Sequence, residues 1–181
     1  MRNVMRLLTI SLLTLSLCAS LSAGDVPRQA PPLKFTTIDG QSMSMEDLKG
    51  KVVAVMFFQT TCPHCQNTTQ ILNPIYQRLK DKGLEIVGLA INESAVTDIE
   101  GFRQKFGARF PLVVSSRFEC ARFAGLSLMA KFFVPYMLFV DRNGQIRYEH
   151  QGGDKAFFNN QAQNIQSELE TLLNEPAKKT S

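Results

Sequence analysis

The sequence predicts an α/β protein in which a mixed β-sheet carries helices on both faces. Three observations lead there. Val52–Phe58, a continuous apolar run, reads as a central strand buried on both faces, and Leu84–Ile91 as a second buried strand. Between them Ile71, Ile75 and Leu79 recur at helical spacing. Late in the chain, Pro135–Val140 and Gln145–His150 flank Asp141-Arg142-Asn143-Gly144, a hairpin signal. Early β-α-β alternation followed by a late hairpin puts parallel and antiparallel neighbours in one sheet.

The elements follow in order. Asp25 to Pro32 is a Pro-rich linker, extended and poorly ordered. Leu33 to Ile38 alternates as a short strand, and Asp39-Gly40 signals a turn. Ser44 to Leu48 reads as a one-turn helix capped by Ser44. After the Val52–Phe58 strand, a helix runs from Pro63 to about Lys82, with Pro74 expected to kink it and Gly83 to stop it. Thr97 to Phe106 is a second helix ended by Gly107, and Phe110 to Val114 is a short extended segment. Phe118 to Phe123 is a further short helix, and Asn159 to Leu173 is amphipathic, with Ile165, Leu169 and Leu172 on one face. These elements make one domain over residues 33–174, followed by a polar tail at 175–181.

Composition narrows the function classes. The chain has 181 residues, 44% hydrophobic and 20% charged, which excludes a disordered protein. Two of its four net positive charges come from Arg2 and Arg6, ahead of Asp25, so no basic surface calls for nucleic acid. Residues 1–24 have the layout of a secretory signal peptide: a positive start, an apolar stretch from Leu7 to Leu21, then Ser22, Ala23 and Gly24. Cleavage is expected between Ser22 and Asp25. The run is too short and too rich in Ser and Thr for a membrane span. A lipid anchor at Cys18 stays open as the one route to the membrane, although Leu17 is larger than the small residue that normally precedes such a cysteine. The expected location is outside the cytoplasm, in the periplasm or cell envelope, where unmanaged thiols do not stay reduced.

The chemistry centres on Cys62-Pro63-His64-Cys65, set between a buried strand and a helix. Unpaired amides and partial positive charge at the helix start would stabilise a thiolate at Cys62. Pro63 suits the first helical position, where no amide donor is needed. Cys65 lies one turn inward, placed to attack a mixed disulfide on Cys62, and His64 adds a polar neighbour that bears on the reduction potential. The other candidates are weaker. Cys120 reads as a small buried hydrophobe, and His150 as an exposed strand-end residue. A zinc site would need Cys62, Cys65, Cys120 and His150 to converge. Haem attachment fails because Gln66, not His, follows Cys65. A copper carrier or metallochaperone without turnover is the alternative function, with Met43 and Met45 as soft ligands. No cofactor or metal is expected. Phe102, Phe106, Phe110, Phe118, Phe123, Phe132 and Phe133 are numerous enough for some to line an apolar approach to the cysteines.

From about Pro32 to Leu173 the chain resembles the thioredoxin superfamily, close to the exported TlpA/ResA-type thiol–disulfide oxidoreductases. Three segments carry the resemblance: Phe57 to Cys65, Phe110-Pro111-Leu112-Val113, and Val134 to Ile146. It implies a thioredoxin-like fold, a redox pair at Cys62 and Cys65, a cis proline at Pro135 beside them, and a Val134 backbone free to pair with an extended substrate. It also implies protein thiol or disulfide substrates and a redox partner. The chain departs from the pattern at three positions. Met56 replaces an acidic residue, Thr61 an aromatic, and Thr68 a buried Glu, which leaves no obvious carboxylate to take the proton from Cys65. The Pro-His pair is that of strongly oxidising DsbA-type enzymes. The expected reduction potential therefore lies between about −270 and about −120 mV.

Overall fold

The computed structural model describes residues 25–127 and 129–176. The signal peptide and Cys18 readings, and the tail from 177 on, lie outside the described residues. Eight strands and five helices occur among those residues: β1 (Arg28–Gln29), β2 (Lys34–Thr36), β3 (Ser42–Ser44), β4 (Val52–Phe58), α1 (Pro63–Leu79), β5 (Leu84–Ala90), α2 (Ala95–Phe106), β6 (Leu112–Val114), α3 (Arg117–Phe123), β7 (Tyr136–Val140), β8 (Gln145–Gln151), α4 (Lys155–Phe158) and α5 (Gln161–Asn174).

Six strands form one sheet in the order β1-β8-β7-β4-β5-β6. β4 is parallel to β5 and β5 to β6, while β7 and β8 run antiparallel to their neighbours. The expected mixed sheet is thus observed. β2 and β3 form a separate hairpin, joined to β6 by a bridge between Thr37 and Val113.

β4 shows why its sequence is apolar throughout. Its side chains alternate between two cores. Val52, Ala54, Met56 and Phe58 enter one core, built with α1, α2, α4 and α5. Val53, Val55 and Phe57 enter the other, built with α3 and the β2–β3 hairpin. The amphipathic face read in the last helix is real: Ile165, Leu169 and Leu172 are fully buried in the first core. Full burial of a Leu contributes about 2 kcal/mol, and Leu169→Ala, which also leaves a cavity, costs about 3 kcal/mol.

Several expectations change. The segment from Ser44 to Leu48 is not a helix: turns run from Met45 onward. Ser44 closes β3 and still caps the turn, accepting the Asp47 amide at 3.3 Å. The Pro-rich linker is partly ordered: Arg28–Gln29 adds to the sheet edge opposite Gln145 and Ile146. α1 ends at Leu79 with the exposed Pro74 inside it, and Lys80–Lys82 forms a 3-10 turn after it. The four-residue α4 had no readable periodicity and is set by Asp154, whose carboxylate accepts the Phe157 amide at 3.1 Å.

Candidate active site

The end of β4 leads through Gln59, Thr60 and Thr61 into α1. Cys62 is the N-cap of that helix, with extended backbone (φ −80°, ψ 116°), and its sulfur accepts the Cys65 amide at 3.3 Å. A sulfur therefore sits where a Ser or Asp oxygen usually satisfies an orphan helix amide. Pro63 occupies the first turn at no cost in hydrogen bonds, and both Pro63 and His64 are exposed. Cys62 is half-buried; Cys65 is fully buried beneath it, and both are free thiols. Burial pushes the Cys65 thiol well above its ordinary range, and the hydrogen bond and charge of Cys62 push the same way. Only backbone hydrogen bonds, from Gln59 and Cys65 itself, oppose this, and no carboxylate is among the groups acting on the thiol.

Thr68, where the resembling family carries a Glu, is buried. Its hydroxyl lies 2.9 Å from the His64 carbonyl oxygen and 2.8 Å from the Gln161 amide oxygen. It is a neutral tie between α1 and α5, not a proton acceptor for Cys65.

The loop before β7 faces the pair. The Val134–Pro135 peptide is cis, as the resemblance implied. The Val134 carbonyl lies 3.9 Å from the Cys62 sulfur. Val134 precedes the first paired residue of β7, so its backbone borders the thiol rather than a neighbouring strand. Beside it Phe133 is 61% exposed and supplies an apolar surface. Of the other clustered phenylalanines, Phe118 is also exposed, Phe106 is half-buried, and Phe102, Phe110, Phe123 and Phe132 are core.

Two supports were not visible in the sequence. Asn92 brackets Thr60, accepting its amide at 3.0 Å and donating to its hydroxyl at 2.8 Å, and Gln66 donates to the Thr60 carbonyl at 2.9 Å. These three bonds fix the loop that delivers Cys62. Nothing in the spacing of Asn92 announces this. The second support is Gly152, which donates to the Phe133 carbonyl at 3.0 Å. The Gly152-Gly153 pair was the only available signal.

Other candidates do not converge on the cysteines. Cys120 is buried as expected, but in the core on the opposite face from Cys65. Met43 and Met45 also pack against that opposite core, so they do not join the cysteine pair as copper ligands. His150 is a correction. It is not an exposed strand end: its ring stacks on Phe157 at 3.7 Å, with Nδ1 2.8 Å from Asp154 and Nε2 3.0 Å from Glu168. Burial alone would lower its pKa, but the bonds and charges of Glu168 and Asp154 outweigh it and raise it. Among the described residues no group of three or more His, Cys, Asp or Glu is arranged to hold a metal.

A sulfur-capped helix whose sulfur faces the carbonyl before a cis proline invites comparison with known proteins. The Redoxin family matches residues 25–165. The chain belongs to that family. This Redoxin protein is similar to thiol-disulfide oxidoreductase ResA of Bacillus thuringiensis subsp. konkukian, at 25% identity over 128 residues, 71% of this chain and 70% of that one. It is similar to ResA of Geobacillus thermodenitrificans at 25% identity over 151 residues, 81% and 83% of the two chains. Among solved structures, a thiol:disulfide interchange protein of the thioredoxin family from Chlorobium tepidum matches with a TM-score of 0.69 at 22% identity, covering 83% of this chain and 99% of that one. That likeness establishes the thioredoxin-like fold. The Redoxin match and the ResA relatives support the expected class, a thioredoxin-like thiol–disulfide oxidoreductase.

Proposed function

We propose that this Redoxin protein exchanges disulfides with protein partners outside the cytoplasm through Cys62 and Cys65. One observation carries the reading: a half-buried sulfur at a helix N-cap, with a second thiol fully buried one turn below it. The helix start stabilises negative charge on the Cys62 sulfur. As a thiolate, Cys62 attacks a partner disulfide. A Cys62–partner S–S bond forms, the partner's own S–S bond breaks, and the departing partner thiolate takes up a proton. Cys65 then loses its proton and attacks the Cys62 sulfur. The mixed disulfide breaks, the partner leaves as a dithiol, and the Cys62–Cys65 pair is oxidised. Run backwards, the same steps oxidise a partner. Cys65 stays neutral until this second step because burial disfavours its thiolate. His64 on the exposed first turn tunes the potential, and Val134 and Pro135 shape the groove for an extended partner segment.

Export through a leader at residues 1–24 completes the reading, since a Cys pair cycles through a disulfide more readily in an oxidising compartment. Among the described residues no helix is long and apolar enough to cross a membrane. The test is a trap. Cys65→Ser, expressed with its leader, should retain partner proteins as adducts that dithiothreitol releases, while Cys62→Ser should retain none. Recovery of no adduct from Cys65→Ser, with the variant folded, overturns the mechanism.

A further inference from the structure

We infer that Gly152 is a positioning residue for disulfide exchange, holding the Val134 carbonyl opposite the Cys62 sulfur. The inference deepens the proposed function and rests on it. β8 ends at Gln151, opposite Tyr136 of β7. Gly152 continues the contact past the strand end: its amide donates to the Phe133 carbonyl at 3.0 Å. A Cβ placed on Gly152 would stand 2.6 Å from the Val134 carbonyl oxygen and 2.9 Å from the carbon that bears it. Both are backbone atoms, so no side-chain rotation relieves the clash. The backbone torsion of Gly152 is not of the left-handed kind. The need for glycine is thus one of space: no other residue lets the two backbones approach so closely.

The atom that would be displaced is the one facing the chemistry. The Val134 oxygen lies 3.9 Å from the Cys62 sulfur, on the peptide that an extended partner would pair with. Gly152 therefore sets how that peptide meets an incoming polypeptide. A small disulfide that reaches Cys62 without pairing along Val134 does not depend on it. The adjacent glycine has no such role. A Cβ on Gly153 would meet only the Phe133 Cδ2 atom, at 3.8 Å, an ordinary contact.

The test compares two oxidised substrates, a disulfide-bonded peptide with extended flanks and hydroxyethyl disulfide, on the full mature chain. Gly152→Ala should lower kcat/KM for the peptide by about 10-fold or more, mostly through KM, and change the rate with hydroxyethyl disulfide by less than about 3-fold. Gly153→Ala should match the wild type on both. Gly88→Ala controls for stability alone: its Cβ would press on Leu112, Phe110 and Phe58 side chains in the core, and both substrates should keep their wild-type ratio. If Gly152→Ala does not fold, the same peptide is read with Val134→Gly against Val134→Ala. Freeing the backbone should cost the glycine variant more than the loss of side chain costs the alanine variant. A wild-type peptide rate for Gly152→Ala, an equal fall on both substrates, or Val134→Gly matching Val134→Ala overturns the inference. A wild type that exchanges with neither substrate overturns the proposed function and this inference with it.

Discussion

Cys62, Cys65 and Cys120 are one side chain in three environments, and environment alone assigns their behaviour. Burial pushes the Cys65 and Cys120 thiols well above their ordinary range, while Cys62 is half-buried at a helix start. Alkylation of the reduced native protein with iodoacetamide at neutral pH should therefore label Cys62 first. Cys65 and Cys120 should lag by roughly 100-fold or more, because the thiolate is the reacting species; mass spectrometry of timed digests reads this, and comparable labelling at Cys65 contradicts it. Cys120→Ala should leave exchange unchanged and cost about 1 kcal/mol of stability. At the same scale, the Pro63-His64 pair predicts a Cys62–Cys65 potential between about −270 and about −120 mV. Equilibration with glutathione buffers measures it, and a value at or below the lower limit refutes the reading. The cysteine pair was legible because its meaning lies in adjacent residues, and the cis proline before β7 because the resemblance implied it. Gly152 was not, because the atom it makes room for belongs to a loop 18 residues earlier, around Val134.

The elements that were easy to read are those whose sequence pattern is also their burial pattern. β4 and β5 are buried at every position; the apolar run of β4 is unbroken and that of β5 is interrupted only by Glu85, which pairs with Lys51. β1, β3 and α4 span two to four residues, too few to show a period, and tertiary pairing or a single cap defines them. His150 was misread for a related reason. Asp154 precedes α4 and Glu168 sits on α5, so the two carboxylates reach the imidazole only when both helices pack against β8. This cluster makes a prediction about pH. The folded pKa of His150 is raised above its unfolded value of about 6.5. Its contribution to stability is then fully present below that value and is lost as pH rises through the folded pKa. Asp154, held low by the His150 hydrogen bond, contributes above its unfolded value of about 4 and loses that contribution as pH falls through its folded pKa. Urea unfolding from pH 4 to 9 should show stability falling above about 6.5, and His150→Gln should flatten that limb. An unchanged slope in the variant would place the titration elsewhere.

Across the whole molecule, the core that contains α3 is closed at one edge by a charged tie that crosses distant parts of the chain. Arg28 of β1 ion-pairs with Glu149 of β8 and donates to the Ala124 carbonyl, just past α3, at 2.8 Å. Tyr136 of β7 donates its hydroxyl to the same Glu149. Its ring stacks on Phe57 of β4 with centroids 6.0 Å apart, and it directly follows Pro135. The edge strand and the strand leading from the site thus meet at the Glu149 carboxylate, and Arg28 joins the end of α3 to it. Charges removed from water in this way add little net stability while paired, but they are expensive to orphan. Arg28→Ala leaves Glu149 with the Tyr136 hydroxyl as its remaining tie within this cluster, and a broken buried pair costs about 3–5 kcal/mol. Side-chain exposures of 17% and 14% for the two partners place the loss near the lower end, at about 3 kcal/mol. Denaturant titration should show the midpoint falling with an unchanged slope, since the surface exposed on unfolding hardly changes. Adding Glu149→Gln to Arg28→Ala should restore at least about 1 kcal/mol, because the orphaned charge, not the lost contact, carries the penalty. If the double variant is instead less stable than Arg28→Ala, Glu149 holds this edge through its hydrogen bond to Tyr136, and the charge on Arg28 is incidental.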